Sequence, residues 1–377
     1  MAERSKTDVL TTAGGSRPVA SDVPAEMDAR RSSRLRVIAT EEAFATAEYL
    51  DTFLKVASNN PHEGIRYAAM HMTRPDVQKP LTDIEARLAD MDAHGVDMHL
   101  LSLTSPGVQV FDADLATELA ARCNDELVAW IRQYPKRLCG LAAVAPQDPK
   151  RAAAEIERAI GHLGLNGVII NSHTNGEFLD DAKFFPIFEA AVKHRAPIYI
   201  HPTFPPPEMI KPFERYGMHG AIWGFAAECG LHAVRLVLGG VFDRFPDLQI
   251  VLGHMGEGLP YWLFRLDNMY VKTITHKNQP PGVVRLNRLP SEYIRSNFHL
   301  TTSGMFWNDV LEFAIKTMGI DRVIFAIDYP YETSKMATEF INNAPLSPAD
   351  KALVLSRNAQ KLFNIVDDSS YTTVAES

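Results

Sequence analysis

From Leu35 onward, short and nearly continuous apolar runs alternate with longer amphipathic stretches, and this alternation constrains the fold more than any other feature of the chain. Eight runs stand out, at residues 35–40, 98–103, 138–144, 167–171, 198–201, 249–253, 299–302 and 323–327. A strand that is apolar on both faces belongs in a parallel sheet covered on both sides. Helical periodicity fills the gaps, at 83–94, 113–133, 149–163, 181–194 and 307–318. In the first of these Ile84, Leu88 and Met91 share a face, and Gly95 supplies a stop signal. Eight strands with helices between them predict a closed (β/α)8 barrel with long loops. An open doubly wound sheet is the other arrangement, but no glycine-rich phosphate loop follows the first run.

The chain has 377 residues, 46% of them hydrophobic, enough to bury one large core. Residues 1–34 are rich in Ser, Thr, Ala, Gly, Arg and Asp without the apolar block that a secretory signal needs. They are read as a disordered tail ahead of a single barrel domain at 35–377. The formal net charge of −8 argues against a general nucleic-acid binder. Cys123, Cys139 and Cys229 are too few and too scattered for a disulfide framework or a thiolate zinc site, which predicts a reducing compartment, the cytoplasm. No apolar stretch is long enough to span a membrane. Two segments, 51–80 and 203–230, break the rhythm. Both follow strand C-termini, where barrel enzymes build their sites, and both are expected to be long loops.

Several predicted strands end in residues that bind metals or move protons. The first ends in Glu41-Glu42, the fourth runs into Ser172-His173, the fifth ends in His201, the sixth in His254 through Glu257, and the eighth in Asp328. Parallel barrel strands bring all these ends to one opening. Singly, each has a bland reading: Glu41 as a surface or capping residue, His201 as a satisfied polar group, Asp328 as the start of a turn. Together, Glu41, His201 and Asp328 make a site for a divalent ion. Hard oxygens favour Mg²⁺ or Mn²⁺, and the imidazole also permits Zn²⁺ or Fe²⁺. His254 and Glu257 form a second group, spaced so that the carboxylate fixes the imidazole tautomer.

These segments carry a resemblance. Residues 38–46, 103–109, 144–149, 170–174, 199–202, 253–263 and 326–331 are similar to the amidohydrolase-superfamily decarboxylases of hydroxylated aromatic acids. That group acts on 2,3-dihydroxybenzoate, γ-resorcylate and 5-carboxyvanillate, and the chain most resembles the 5-carboxyvanillate type. Hydrolytic relatives carry His-x-His on the first strand, and some decarboxylases carry Glu-x-His. Here Glu41-Glu42-Ala43 puts alanine at the second ligand position, and no lysine follows the fourth strand to bridge two metals.

The resemblance implies one divalent ion on Glu41, His201 and Asp328, with Mn²⁺ or Mg²⁺ ahead of Zn²⁺. It implies that His173 and Arg235 bind polar groups of a small aromatic carboxylate. It also implies that Tyr331 reaches towards a neighbouring subunit's site, in a homodimer or homotetramer. A substrate-binding arginine is expected from the loop after the first strand, where Arg66 and Arg74 both stand. The implied reaction is non-oxidative decarboxylation. Asp328 would donate a proton to the ring carbon, and His254, supported by Glu257, would deprotonate or hold the ortho hydroxyl. Two rival readings are a metal-dependent hydrolase of a lactone or amide and a non-catalytic barrel that binds an aromatic acid.

Overall fold

The structure is a computed structural model and describes residues 34–366. Eight parallel strands run in sequence order: β1 Ile38–Phe44, β2 Met98–Leu103, β3 Leu138–Ala143, β4 Gly167–Ile170, β5 Ile198–Ile200, β6 Ile250–Leu252, β7 Phe298–Thr301 and β8 Val323–Ile324. Beyond β8 the chain returns to β1. Glu42 pairs with Tyr329 in a parallel bridge, and Ala43 N–H donates to the Tyr329 carbonyl at 2.7 Å. The architecture is the expected (β/α)8 barrel. Arg34 lies inside the described region, where it pairs with Asp97. The rest of the tail expectation falls outside the described residues.

Every strand is buried along its whole length, as its apolar run requires. The helices between strands carry the expected end signals. Asp83 caps Ile84–His94 by accepting from Ala86 N–H at 3.0 Å, and Gly95 ends it at φ 71°. Asp148 likewise caps Pro149–Gly161.

Three expectations need correction. The first strand begins later than 35 and runs on to Phe44, so Glu41 and Glu42 stand inside it and not at its end. Hydropathy places carboxylates outside a strand. Here both are buried because partners satisfy them: Glu42 accepts from Ile327 N–H at 3.0 Å and Tyr329 N–H at 3.2 Å, which ties β1 to the segment after β8. Burial still holds the Glu42 carboxyl well above its ordinary range. Second, segment 51–80 is not a long loop. It belongs to helices Ala47–Ala57, Glu63–Met72 and Pro75–Thr82. In 203–230, helix Pro207–Glu214 forms and Gly224–Leu238 begins. Third, the 181–194 helix starts late, at Phe185, after a single 3-10 turn.

Candidate active site

Glu41 on β1, His201 just past β5 and Asp328 past β8 meet at the C-terminal face of the barrel. One ligand atom from each lies within 4.8 Å of the others, the one such group of three among the described residues. Glu41 is buried, and its Oε1 has no hydrogen-bond partner. That atom stands 3.6 Å from His201 Nε2 and 3.7 Å from His254 Nε2. The His201 Nδ1–H donates to the Pro202 carbonyl at 2.8 Å, which leaves Nε2 as the free lone pair facing Glu41. A buried, unpaired carboxylate oxygen is costly unless a cation meets it. Two carboxylates and one imidazole therefore fit a divalent ion. Ala43 lies beside them in a small cavity and offers no further ligand.

His254 approaches from the turn after β6. Its Nδ1 donates to Glu257 Oε1 at 2.7 Å, because an ionised carboxylate only accepts. Nε2 is thereby aimed at Glu41 and at Asp328 Oδ2, 3.6 Å away. This geometry requires a strained backbone. Residues His254, Met255, Gly256, Glu257 and Gly258 have φ of 53°, 55°, 81°, 53° and 79°. Three of these are not glycine, and such strain persists where a site demands it.

The charges are coupled. Burial pushes the Asp328 carboxyl up, only partly opposed by the hydrogen bond and charge of His254. Burial acts the same way on Glu41, but the charges of His254 and His201 and the hydrogen bonds from Ser303 and Tyr199 outweigh it and hold that carboxyl below its usual range. Burial opposes charge on His254, yet Glu257, Glu41 and Asp328 raise it well above the ordinary imidazole value. A carboxyl pushed up beside one held down is a pairing that separates proton donor from permanent anion.

The group opens into a cavity of about 180 Å³ walled by Tyr67, Met72, Phe204 and Phe225, with His71 and Tyr331 at its edge. The walls are flat, apolar and aromatic, suited to a planar ring. Tyr331 lines this chain's own cavity, its hydroxyl 2.6 Å from Thr104 Oγ1. His173 does not face this cavity. Its nitrogens meet the Phe204 carbonyl at 2.9 Å and Gly176 N–H at 3.1 Å, and it lines a neighbouring space of about 310 Å³. Arg235 lies outside as well, forked onto Asp180 at 2.8 and 3.0 Å and over the Phe178 ring. Arg66 donates to the carbonyls of Asn60 and Pro61, and Arg74 pairs with Asp76. Neither lines the cavity, although Arg74 Nη1 is 3.5 Å from Nδ1 of His71, which does. A larger cavity of about 590 Å³ sits near the N-terminal ends of β5, β6 and β8, away from the metal-ligand group.

Tyr67, His71 and Met72 are not legible in the sequence, because segment 51–80 reads as loop and offers no face to assign. Nor are Tyr199, Thr301 and Ser303 among the residues that the sequence reading singles out. Here a signal was available. Side chains two apart on a strand share a face, so Tyr199 points the same way as His201.

Fold and site together define a (β/α)8 barrel with two carboxylates and an imidazole grouped at the strand C-termini, where they could hold a metal ion. The chain belongs to the amidohydrolase family, whose model matches residues 55–365. It is 35% identical over 339 residues to a γ-resorcylate decarboxylase of Polaromonas sp. (strain JS666 / ATCC BAA-500), covering 87% of this chain and 98% of that one. It superposes on 5-carboxyvanillate decarboxylase from Sphingomonas paucimobilis with a TM-score of 0.84 and 43% identity, covering 88% of this chain and 100% of that one. The enzyme of the same name from Novosphingobium aromaticivorans, complexed with manganese and 4-hydroxy-3-methoxy-5-nitrobenzoic acid, gives 0.84 and 40%, covering 89% and 98%.

Proposed function

We propose that this chain is a metal-dependent, non-oxidative decarboxylase of an ortho-hydroxylated aromatic carboxylic acid, in the 5-carboxyvanillate, 2,3-dihydroxybenzoate or γ-resorcylate class. One observation carries the reading. The Glu41, His201 and Asp328 group, beside a His254–Glu257 pair, opens into a narrow aromatic-walled cavity. Glu41, His201 and Asp328 would hold one ion, Mn²⁺ or Mg²⁺ in preference to Zn²⁺. When bound, it supplies charge stabilisation to the substrate's carboxylate and ortho oxygen and fixes their geometry.

Direct loss of CO2 from an arene leaves a poor aryl carbanion. Adding a proton first to the carbon that bears the carboxylate avoids it. In its neutral form His254 Nε2 takes the ortho hydroxyl proton, and as the imidazolium that Glu257 favours it holds the ortho oxygen. The electron-rich ring then accepts a proton from Asp328, whose raised carboxyl suits a donor. The carbon–carbon bond breaks, its electrons restore aromaticity, and CO2 departs. The phenolate recovers its proton from His254, and Asp328 recovers one from solvent. Tyr67, Phe204 and Phe225 hold the ring and exclude water. His173 and Arg235 would then act indirectly, by bracing the segment at Phe204 and the Asp180 turn.

Asp328→Asn tests the donor. It should lower turnover about 10²–10⁴-fold while Mn²⁺ still binds; turnover near the wild-type rate would remove the assignment. A lactone or amide hydrolase would need a further ligand or an activated water, and Ala43, which lines the small cavity beside Glu41, His201 and Asp328, supplies no ligand. The three cysteines are free and buried, which supports a reducing, cytoplasmic location. The exposed aromatics Tyr261, Phe264, Phe313 and Trp307 support self-association as a homodimer or homotetramer, to be read by light scattering.

A further inference from the structure

The two oxygens of Glu41 are treated very differently. Oε2 accepts from three hydroxyls: Thr301 Oγ1 at 2.8 Å, and those of Tyr199 and Ser303. Oε1 is equally buried and accepts from none. If the hydroxyls served only to satisfy a buried carboxylate, they would be shared between both atoms, since an unpaired anionic oxygen costs several kcal/mol on the order of magnitude. The three donors converge on that one atom, with the hydroxyls of Tyr199 3.0 Å and Ser303 2.9 Å from that of Thr301. Ser303 has a second task. Its Oγ accepts the His254 backbone N–H at 3.1 Å, so its own proton is free for Glu41.

We propose that Tyr199, Thr301 and Ser303 are positioning residues that commit Oε2 of Glu41 to the protein and leave Oε1 as its single metal-binding atom, and that Ser303 sets the position of His254 through the same hydroxyl. The proposal rests on the metal-site reading above. Its chemistry is that of an outer ring of donors: the protein takes one oxygen so that a small ion meets one lone pair in a fixed direction. All three residues are buried, and none lines the aromatic-walled cavity.

The test uses the full chain stripped of metal and titrated with Mn²⁺, following the paramagnetic resonance signal of the free ion. Wild type and Glu41→Gln come first; tight binding by the one and loss in the other establish the ion site itself. If neither differs, the metal-site reading fails, and this proposal fails with it. If they differ, Tyr199→Phe, Thr301→Val and Ser303→Ala are titrated, with circular dichroism on the metal-free proteins. The proposal expects Mn²⁺ affinity to fall about tenfold or more in each folded variant, and Ser303→Thr, which keeps the hydroxyl, to restore it. Ser303→Ala should also shift the pH profile of turnover, because His254 loses its tether. Affinities within about twofold of wild type in folded variants would overturn the proposal. Should Tyr199→Phe fail to fold, the Thr301 and Ser303 variants decide the matter by the same criterion.

Discussion

Glu228 is a buried acid that the proposed chemistry leaves aside, and it makes a measurable demand on the fold. Burial pushes its carboxyl from 4.5 up to about 8, against the lowering effect of its hydrogen bond from Ser172, at 2.6 Å. Ser172 in turn receives His232 Nδ1–H at 2.9 Å, and His232 Nε2 accepts from Leu179 N–H. Burial keeps that imidazole neutral, its value down to about 3. The folded chain thus holds a proton that the unfolded chain releases near 4.5, so stability falls as pH rises from 4.5 to about 8, at most about 1.4 kcal/mol per pH unit. Glu228→Gln should flatten that fall and raise the melting temperature at the alkaline end; an unchanged slope would contradict the assignment. Single residues such as this one were the least legible part of the sequence. Glu41, His201 and Asp328 could be read because each closes an apolar run, although β1 itself continues past Glu41. Ser172 too stands at the end of such a run, but its tie to Glu228 could not be read, because nothing in their spacing says that a helix after β5 folds back on β4.

The turn after β6 concentrates the demands made on single elements. Gly253 has φ −66°, which any residue adopts, so its glycine answers to space and not to backbone freedom. A Cβ there would stand 2.7 Å from Glu41 Oε1, the oxygen left for the ion. Gly253→Ala should therefore weaken Mn²⁺ binding without removing any ligand, and metal titration against a near-native circular dichroism spectrum checks it. Unchanged affinity would mean that Glu41 yields without cost. Strand elements were legible where side chains are apolar, as in β2, whose limits match the sequence reading. Reading failed in β1, where Glu41 and Glu42 interrupt the hydropathy although pairing with β2 resumes at Glu42 after a shift in register. It failed again in 51–80, where Tyr49, Leu50, Phe53 and Ala57 do form a helical face but begin ahead of the segment assigned to the loop.

At the scale of the molecule, the barrel converts eight sequence-distant strand ends into one site, and that is why the site was foreseen before its walls. No helix among the described residues is long and apolar enough to cross a membrane. Metal should bind the folded chain and not the unfolded one, so Mn²⁺ at a hundredfold excess over its dissociation constant should add about 2.7 kcal/mol of stability. A chelator should return the melting temperature to the metal-free value, and no response to either would count against a resident ion. The central claim is loss of CO2 by protonation of a ring carbon. It is tested most directly by incubating the Mn²⁺-loaded chain in D2O with 5-carboxyvanillate, 2,3-dihydroxybenzoate and γ-resorcylate. At least one acid should release CO2 and yield a phenol with one deuterium at the carbon that bore the carboxylate, and metal removal should stop this. No CO2 from any of the three, with hydrolysis of a lactone or amide instead, would contradict it.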